Sequence, residues 1–173
     1  MKPALFVEDI QNAWLYDPDS NEDLRRSLER RLDLINETIE WFRGKGLPII
    51  VGYTEDPEIG LLPGTRSFEV SDRLRVAKTD PTVTKRHANA FANPRLGALF
   101  HEKGCDTVAI VGLSASGCVL ATYFGALDWE VRPYLIKGGV ASNKEEHVRF
   151  AEDICDTLTL AELERAIRTQ EQD

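Results

Sequence analysis

Three side chains of this 173-residue chain could together attack a carbonyl: the thiol of Cys118, the carboxyl of Asp9 and the ammonium of Lys85. Each lies at or just beyond the end of a short apolar run: "ALFV" before Glu8 and Asp9, "TVT" before Lys85, and "DTVAIVG" a few residues ahead of Cys118. A thiol attacks carbon as the thiolate, and a helix N-terminus and a nearby ammonium each lower its proton affinity. A carboxylate beside it can take the proton and later return it to a leaving amine, while the lysine offsets the carboxylate's charge. The small residues of "LSASGC" (113–118) would leave backbone N–H groups at a helix start without intrahelical partners. Such donors hold an oxyanion and are worth about 2.7–4 kcal/mol each. Plainer readings stand beside this one: Cys118 as an inert buried thiol, Asp9 as the cap of a short turn in "DIQNAW", Lys85 as a solvated strand end. Residue type and spacing alone leave the two readings level.

For the three groups to meet, their runs must be neighbouring strands. Short apolar runs alternate with helical stretches along the chain, the pattern of a parallel sheet covered by helices. The runs are Ala4 to Val7, "LPIIVGYT" (47–54), "TVTK" (82–85), "DTVAIVG" (106–112) and "EVRPYLI" (130–136), with "CDTLT" as a short last strand. Pro133 places the fifth nearer an edge. Leu24, Leu28, Leu32, Ile35, Ile39 and Phe42 recur at helical spacing and predict one long helix from Glu22 to Gly44. Asn93 and Pro94 open a helix over 93–104, another follows from Gly117 to Leu127, and "SNKE" and "TLAE" have capping-box form for the last two. Residues 55–82 show no period and read as a long excursion over the strand ends. The expectation is a single doubly wound (Rossmann-like) α/β domain of three layers, αβα, spanning residues 1–173, with a mainly parallel sheet and the active site beyond the carboxyl ends of its strands.

Composition narrows the function. At 42% hydrophobic and 29% charged the chain can bury a core, and its net charge of −8 disfavours nucleic acid and anionic membrane as partners. No apolar run approaches the roughly 20 residues of a membrane span. The acidic residues soon after Met1 do not fit a signal peptide. Three cysteines without CxxC spacing suit free thiols in a reducing compartment, so the expected location is cytoplasmic.

Three segments resemble the isochorismatase-like cysteine hydrolase family, nearly end to end: "ALFVEDIQNAW" (4–14), "VTKRHANAFANPRL" (83–96) and "VAIVGLSASGCVLATYFGALDWEV" (108–131). The resemblance implies Cys118 as nucleophile, Asp9 as general base and acid, and Lys85 as its electrostatic partner. It also implies a non-proline cis peptide between Leu113 and Ser114, with the backbone N–H groups of Ser114 and Cys118 as the oxyanion hole. The expected reaction is hydrolysis of a small non-peptide amide or ureide. The alternatives are a vinyl-ether hydrolase of the isochorismatase type that uses Asp9 alone, and a non-catalytic binding or assembly member. Trp14 and Phe91, close after the Asp and Lys motifs, are candidate pocket residues. Nicotinamidase-like members carry an Asp-x-His metal motif after the second strand. "TEDPEIGLLPG" has no histidine there, and His87, His101 and His147 are scattered singly, so no metal or other cofactor is expected. The resemblance further implies a homo-oligomer, a dimer or tetramer. Glu8 stands where the family is usually apolar, and on an extended strand it would point opposite Asp9, away from the chemistry.

Overall fold

Strands that are apolar on both faces need cover on both sides, and the chain supplies helices to each. In the computed structural model, which describes residues 1–170, six strands form one all-parallel sheet. They are β1 (Pro3–Glu8), β2 (Ile49–Thr54), β3 (Thr82–Lys85), β4 (Thr107–Leu113), β5 (Arg132–Ala141) and β6 (Thr157–Leu158), in the order β3-β2-β1-β4-β5-β6. Every residue of β1 and β4 is buried, as the middle of a doubly covered sheet requires. Leu5, Val7, Ala109 and Val111 pack with Leu28 of α2 (Glu22–Glu29), Ile35, Ile39 and Phe42 of α3 (Leu32–Gly44) and Leu163 of α7 (Leu160–Gln170). On the opposite face, Phe6, Val108 and Ile110 meet Leu96 and Phe100 of α4 (Pro94–Glu102), Ala126 of α5 (Leu120–Leu127) and Val148 of α6 (Glu145–Ile154). A short α1 (Asn12–Tyr16) follows β1. This is the three-layer, doubly wound α/β architecture expected. The chain winds outward from β1 to β3, then returns to the centre and winds the other way from β4. The crevice therefore lies where β1 and β4 end side by side.

The elements depart from expectation where side chains compete for backbone groups. The helix predicted over Glu22 to Gly44 is two. The Arg31 guanidinium takes the Ser27 carbonyl at 2.8 Å, and the Arg31 N–H turns to Leu28 instead. The chain bends there, yet Leu24, Leu28, Leu32 and Ile35 stay buried. "TLAE" does form a capping box, with Thr159 N–H on Glu162 and Glu162 N–H on the Thr159 hydroxyl. "SNKE" does not: Glu145 is drawn to Arg30 and Arg31, and α6 begins without a side-chain cap. Strand β5 runs to Ala141 because a register shift between Ile110 and Gly112 lets Val140 and Ala141 pair with Gly112 and Leu113. Pro133 lies one strand in from the edge, and the two-residue β6 pairs only with Leu135 and Ile136, so its missing N–H costs no ladder bond on that side. Among the described residues, no helix is long and apolar enough to cross a membrane.

Candidate active site

Register brings the reactive groups together. Glu8 pairs with Gly52 on one side and Gly112 on the other, and Thr54 pairs with Lys85, so the ends of β3, β2, β1 and β4 form one ledge. Asp9 leaves the ledge with φ +57, a left-handed turn that an aspartate tolerates better than most side chains. Its Oδ2 meets Lys85 Nζ at 2.7 Å, and its Oδ1 is buried without a hydrogen-bond partner. The other two Lys85 protons reach Thr54 Oγ1 at 3.0 Å and the His87 carbonyl at 3.3 Å. Burial alone would lower the proton affinity of Lys85, but Asp9 and Glu8 together raise it, so the ammonium stays charged. Burial raises the Asp9 carboxyl against the pull of Lys85.

The turn at Asp9 also overturns the expected position of Glu8. Side chains alternate only while the backbone is extended, and at φ +57 it no longer is, so both carboxyls face Lys85. Glu8 is fully buried, with Oε1 3.7 Å from Nζ, and the Thr122 hydroxyl donates to the same oxygen at 2.6 Å. Thr122 in turn accepts the Ala90 N–H at 3.0 Å, tying α5 to the segment after Lys85. Burial, then the neighbouring Asp9 charge, pushes the Glu8 carboxyl up to about 8. Gly112 makes this crowding possible: a Cβ there would sit 2.0 Å from the Glu8 carbonyl oxygen, and its φ is +127.

Beyond β4 the Leu113–Ser114 peptide is cis, and Ala115–Val119 form one π-helical turn that carries Cys118 to the start of α5. The Ser114 carbonyl accepts from both Gly117 and Val119 N–H groups, which sharpens the turn. Hydroxyl contacts from Ser114 to Ser142 (3.2 Å), and from Ser116 to His147 (3.1 Å), moor it to the end of β5 and to α6. Cys118 is half-buried and lines a cleft of about 580 Å³ with Thr54, Glu55, Asp56, Pro57, Glu58, Arg86, His87 and Ala88. The lowered proton affinity expected of it is reversed. Burial and then the Asp9 charge push the thiol up to about 11, outweighing Lys85. The resting sulfur therefore carries its proton.

Phe91 does not reach the cleft: it is 2% exposed and packs on Phe100 with ring centroids 5.6 Å apart. Asn89 caps the turn that holds it, accepting the Phe91 N–H, and His87 and Ala88 line the cleft in its place. Trp14 is partly buried and borders a separate hollow of about 260 Å³ with Asp17, Ser20, Ile59 and Leu61. Sequence reasoning missed Thr54, Thr122 and Gln11. Gln11 is buried and bridges the Thr54 backbone to the Phe68 carbonyl, fastening the 55–82 excursion to the end of β2. A hydroxyl closing a strand and another four residues after the cysteine were the only signals for the threonines. Among the described residues, no three His, Cys, Asp or Glu side chains are grouped to hold a metal ion.

Known proteins share this arrangement of strands. A family model described as the isochorismatase domain matches residues 3–159. The uncharacterized isochorismatase family protein YddQ of Bacillus subtilis (strain 168) is 26% identical over 163 residues, spanning 92% of this chain and 81% of that one. The crystal structure of N-carbamoylsarcosine amidase from Thermoplasma acidophilum is 26% identical, with a TM-score of 0.78 over 92% of this chain and 96% of that chain. An isochorismatase-like hydrolase from Alkaliphilus metalliredigens shares the fold at a TM-score of 0.82 and 22% identity, over 96% and 99% of the two chains. The domain match begins with the first strand and ends with the last, and the chain belongs to the isochorismatase family of hydrolases.

Proposed function

We propose that the chain hydrolyses a C–N bond of a small non-peptide amide or ureide through a thioester on Cys118. The observation that carries this reading is the Asp9 carboxyl: Oδ2 is clamped by Lys85, Oδ1 is buried and unpartnered, and the group is close enough to Cys118 for each to shift the other's proton affinity. Asp9 takes the thiol proton as the sulfur attacks the carbonyl carbon. The backbone N–H groups of Ser114 and Cys118 receive the oxyanion. Asp9 then gives its proton to the nitrogen, the C–N bond breaks, and ammonia or an amine leaves. Water attacks the thioester with Asp9 as base, releasing the acid and restoring the thiol. Retention of Cys118 favours this over ether cleavage by Asp9 alone. Glu55, Asp56 and Glu58 on the cleft outnumber Arg86, itself paired with Glu55 at 2.6 Å, which favours neutral or cationic amides over carboxylates.

A panel of small amides, ureides and carbamoyl compounds screened for ammonia release should find a substrate, and mass spectrometry should trap its acyl group on Cys118. Full turnover by Cys118→Ala on an accepted amide would sink the mechanism. The three free thiols suit a reducing cytoplasm. Phe124 and Leu127 on α5, and Phe150 and Ile154 on α6, are about half exposed, apolar side chains that suit contact with a second copy of the chain. Light scattering of the wild type and of Phe124→Asp reads that assembly: a monomer in both would refute it.

A further inference from the structure

Glu8 is a buried acid that the mechanism above leaves without a task. Its surroundings cannot satisfy an anion. All three Lys85 protons are spent on Asp9, Thr54 and His87, so Glu8 Oε1, at 3.7 Å, feels the ammonium without receiving a hydrogen bond from it. Glu8 Oε2 is buried with no partner at all. The ionisable groups that act on it are Asp9 just beyond its own strand, Lys85 at the end of β3 and Cys118 on the π-helical turn; Thr122, from α5, is its uncharged polar neighbour. Two carboxyls thus face one cation in a water-poor ledge, and that charge count is balanced when one of them carries a proton. The neutral acid also fits the hydrogen bonds better. With the proton on Oε1, the 2.6 Å contact runs from Glu8 to Thr122, and Thr122 passes its own proton toward the Ala88 carbonyl, 3.4 Å away.

We propose that Glu8 is a positioning residue, held as the neutral carboxylic acid, that reserves the Lys85 ammonium for Asp9 and so sets the charge at which the thiol cluster works. The inference rests on Asp9 being the base. When Glu8 loses its proton, the lysine is shared between two carboxylates. A second negative charge then raises the proton affinity of Cys118 further and weakens Asp9 as the acid that must protonate the leaving nitrogen. Turnover should therefore fall on the alkaline side, with a midpoint near the value of about 8 to which burial brings Glu8.

The test reads the proton and the rate separately. Infrared difference spectra of the wild type, isotope-labelled at glutamate, should show a protonated-carboxyl stretch at about pH 6.5 that is gone by about pH 9.5 and missing from Glu8→Gln. On an accepted amide, Glu8→Gln should lose about threefold in kcat at about pH 6.5 and move the alkaline limb up by a unit or more. Glu8→Ala, which strands Thr122, should lose at least about tenfold in kcat across the pH range. With iodoacetamide alone, Glu8→Gln should alkylate at Cys118 severalfold faster than wild type at about pH 9. A wild type with no protonated glutamate at about pH 6.5, or an alkaline limb that does not move in Glu8→Gln, overturns the proposal. The infrared and alkylation readouts need no substrate, so failure to find a hydrolysed amide leaves them to decide Glu8 independently.

Discussion

Two clusters in this molecule are each built from three ionisable side chains, with the ratio of acids to bases reversed. At the strand ends, two carboxyls, Glu8 and Asp9, share the single ammonium of Lys85, and no side chain of the three is more than 3% exposed. At the start of α6, one carboxylate, Glu145, is gripped by Arg30 at 2.6 Å and Arg31 at 2.8 Å, and is 44% exposed. Proton affinity moves in opposite directions. Burial and Asp9 push Glu8 up to about 8, whereas hydrogen bonds from Arg31 and then Arg30 hold Glu145 down to about 2. A surplus of cations with water at hand makes a fastener between α2, α3 and α6. A surplus of carboxyls without water makes a cluster whose charge balances when one carboxyl keeps its proton.

Removing the shared cation breaks the contrast most severely. Lys85→Met leaves two facing carboxyls in a buried ledge and should destabilise the fold by about 3–5 kcal/mol in urea unfolding, with turnover down about a thousandfold. The matching change on the surface, Arg30→Met, at a side chain 57% exposed, should cost under about 1 kcal/mol and leave turnover alone. Comparable losses from both variants would mean that burial does not separate the clusters. Gly112→Ala tests the packing beneath the buried one. Its Cβ would meet the Glu8 carbonyl oxygen at 2.0 Å in a backbone conformation hostile to side chains, so a loss of about 3 kcal/mol is expected in the same unfolding assay.

A third prediction asks what the buried cluster does to a thiol. Cys118 and Cys155 are both pushed up to about 11, each chiefly by burial, so acidity alone would make them equally slow to alkylate. Cys118 has the Asp9 carboxyl close enough to act on its proton and is half-buried on the cleft, whereas Cys155 is 7% exposed at the rim of a separate hollow, with Asp156 and not Asp9 beside it. Peptide mapping after iodoacetamide at neutral pH should show Cys118 at least about tenfold ahead, and Asp9→Asn should erase most of that lead. Equal labelling in the wild type would remove Asp9 as the base.

These clusters differ in how far the sequence revealed them. Apolar runs ending in Asp9, Lys85 and "LSASGC" made the ledge legible, because a parallel sheet brings the carboxyl ends of all its strands to one edge. Strand order was not legible, yet it is what seats Thr54 between Lys85 and Asp9. The face of Glu8 was misread because alternation presumes extended backbone, and nothing in "VEDI" announces a φ of +57 at Asp9. The surface cluster was hidden for another reason. Glu145 reads locally as a capping residue, and only the fold shows that Arg30 and Arg31, more than a hundred positions earlier, outbid the helix for it. The same arginine broke the long helix that hydrophobic spacing predicted.

The smallest effect separates the clusters by sign. Unfolded Glu145 titrates near its ordinary 4.5 and the folded residue near about 2, so the unfolded chain binds more protons between those values. The stability that Glu145 contributes is therefore complete above about pH 4.5 and lost as pH falls through about 2; at an exposed site, screening keeps it below about 1 kcal/mol. Glu8 runs the other way. The folded chain keeps its proton up to about 8 while the unfolded chain releases it near 4.5, so stability erodes as pH rises across that interval. Urea unfolding across pH should thus lose an acid-side component in Glu145→Gln, and high salt should shrink that same component in the wild type. Glu8→Gln should instead lose the neutral-to-alkaline component and be indifferent to salt, since its partners are sealed from solvent. If both variants altered the same side of the profile, the surplus carboxyl at the strand ends would be no proton store but a second salt bridge.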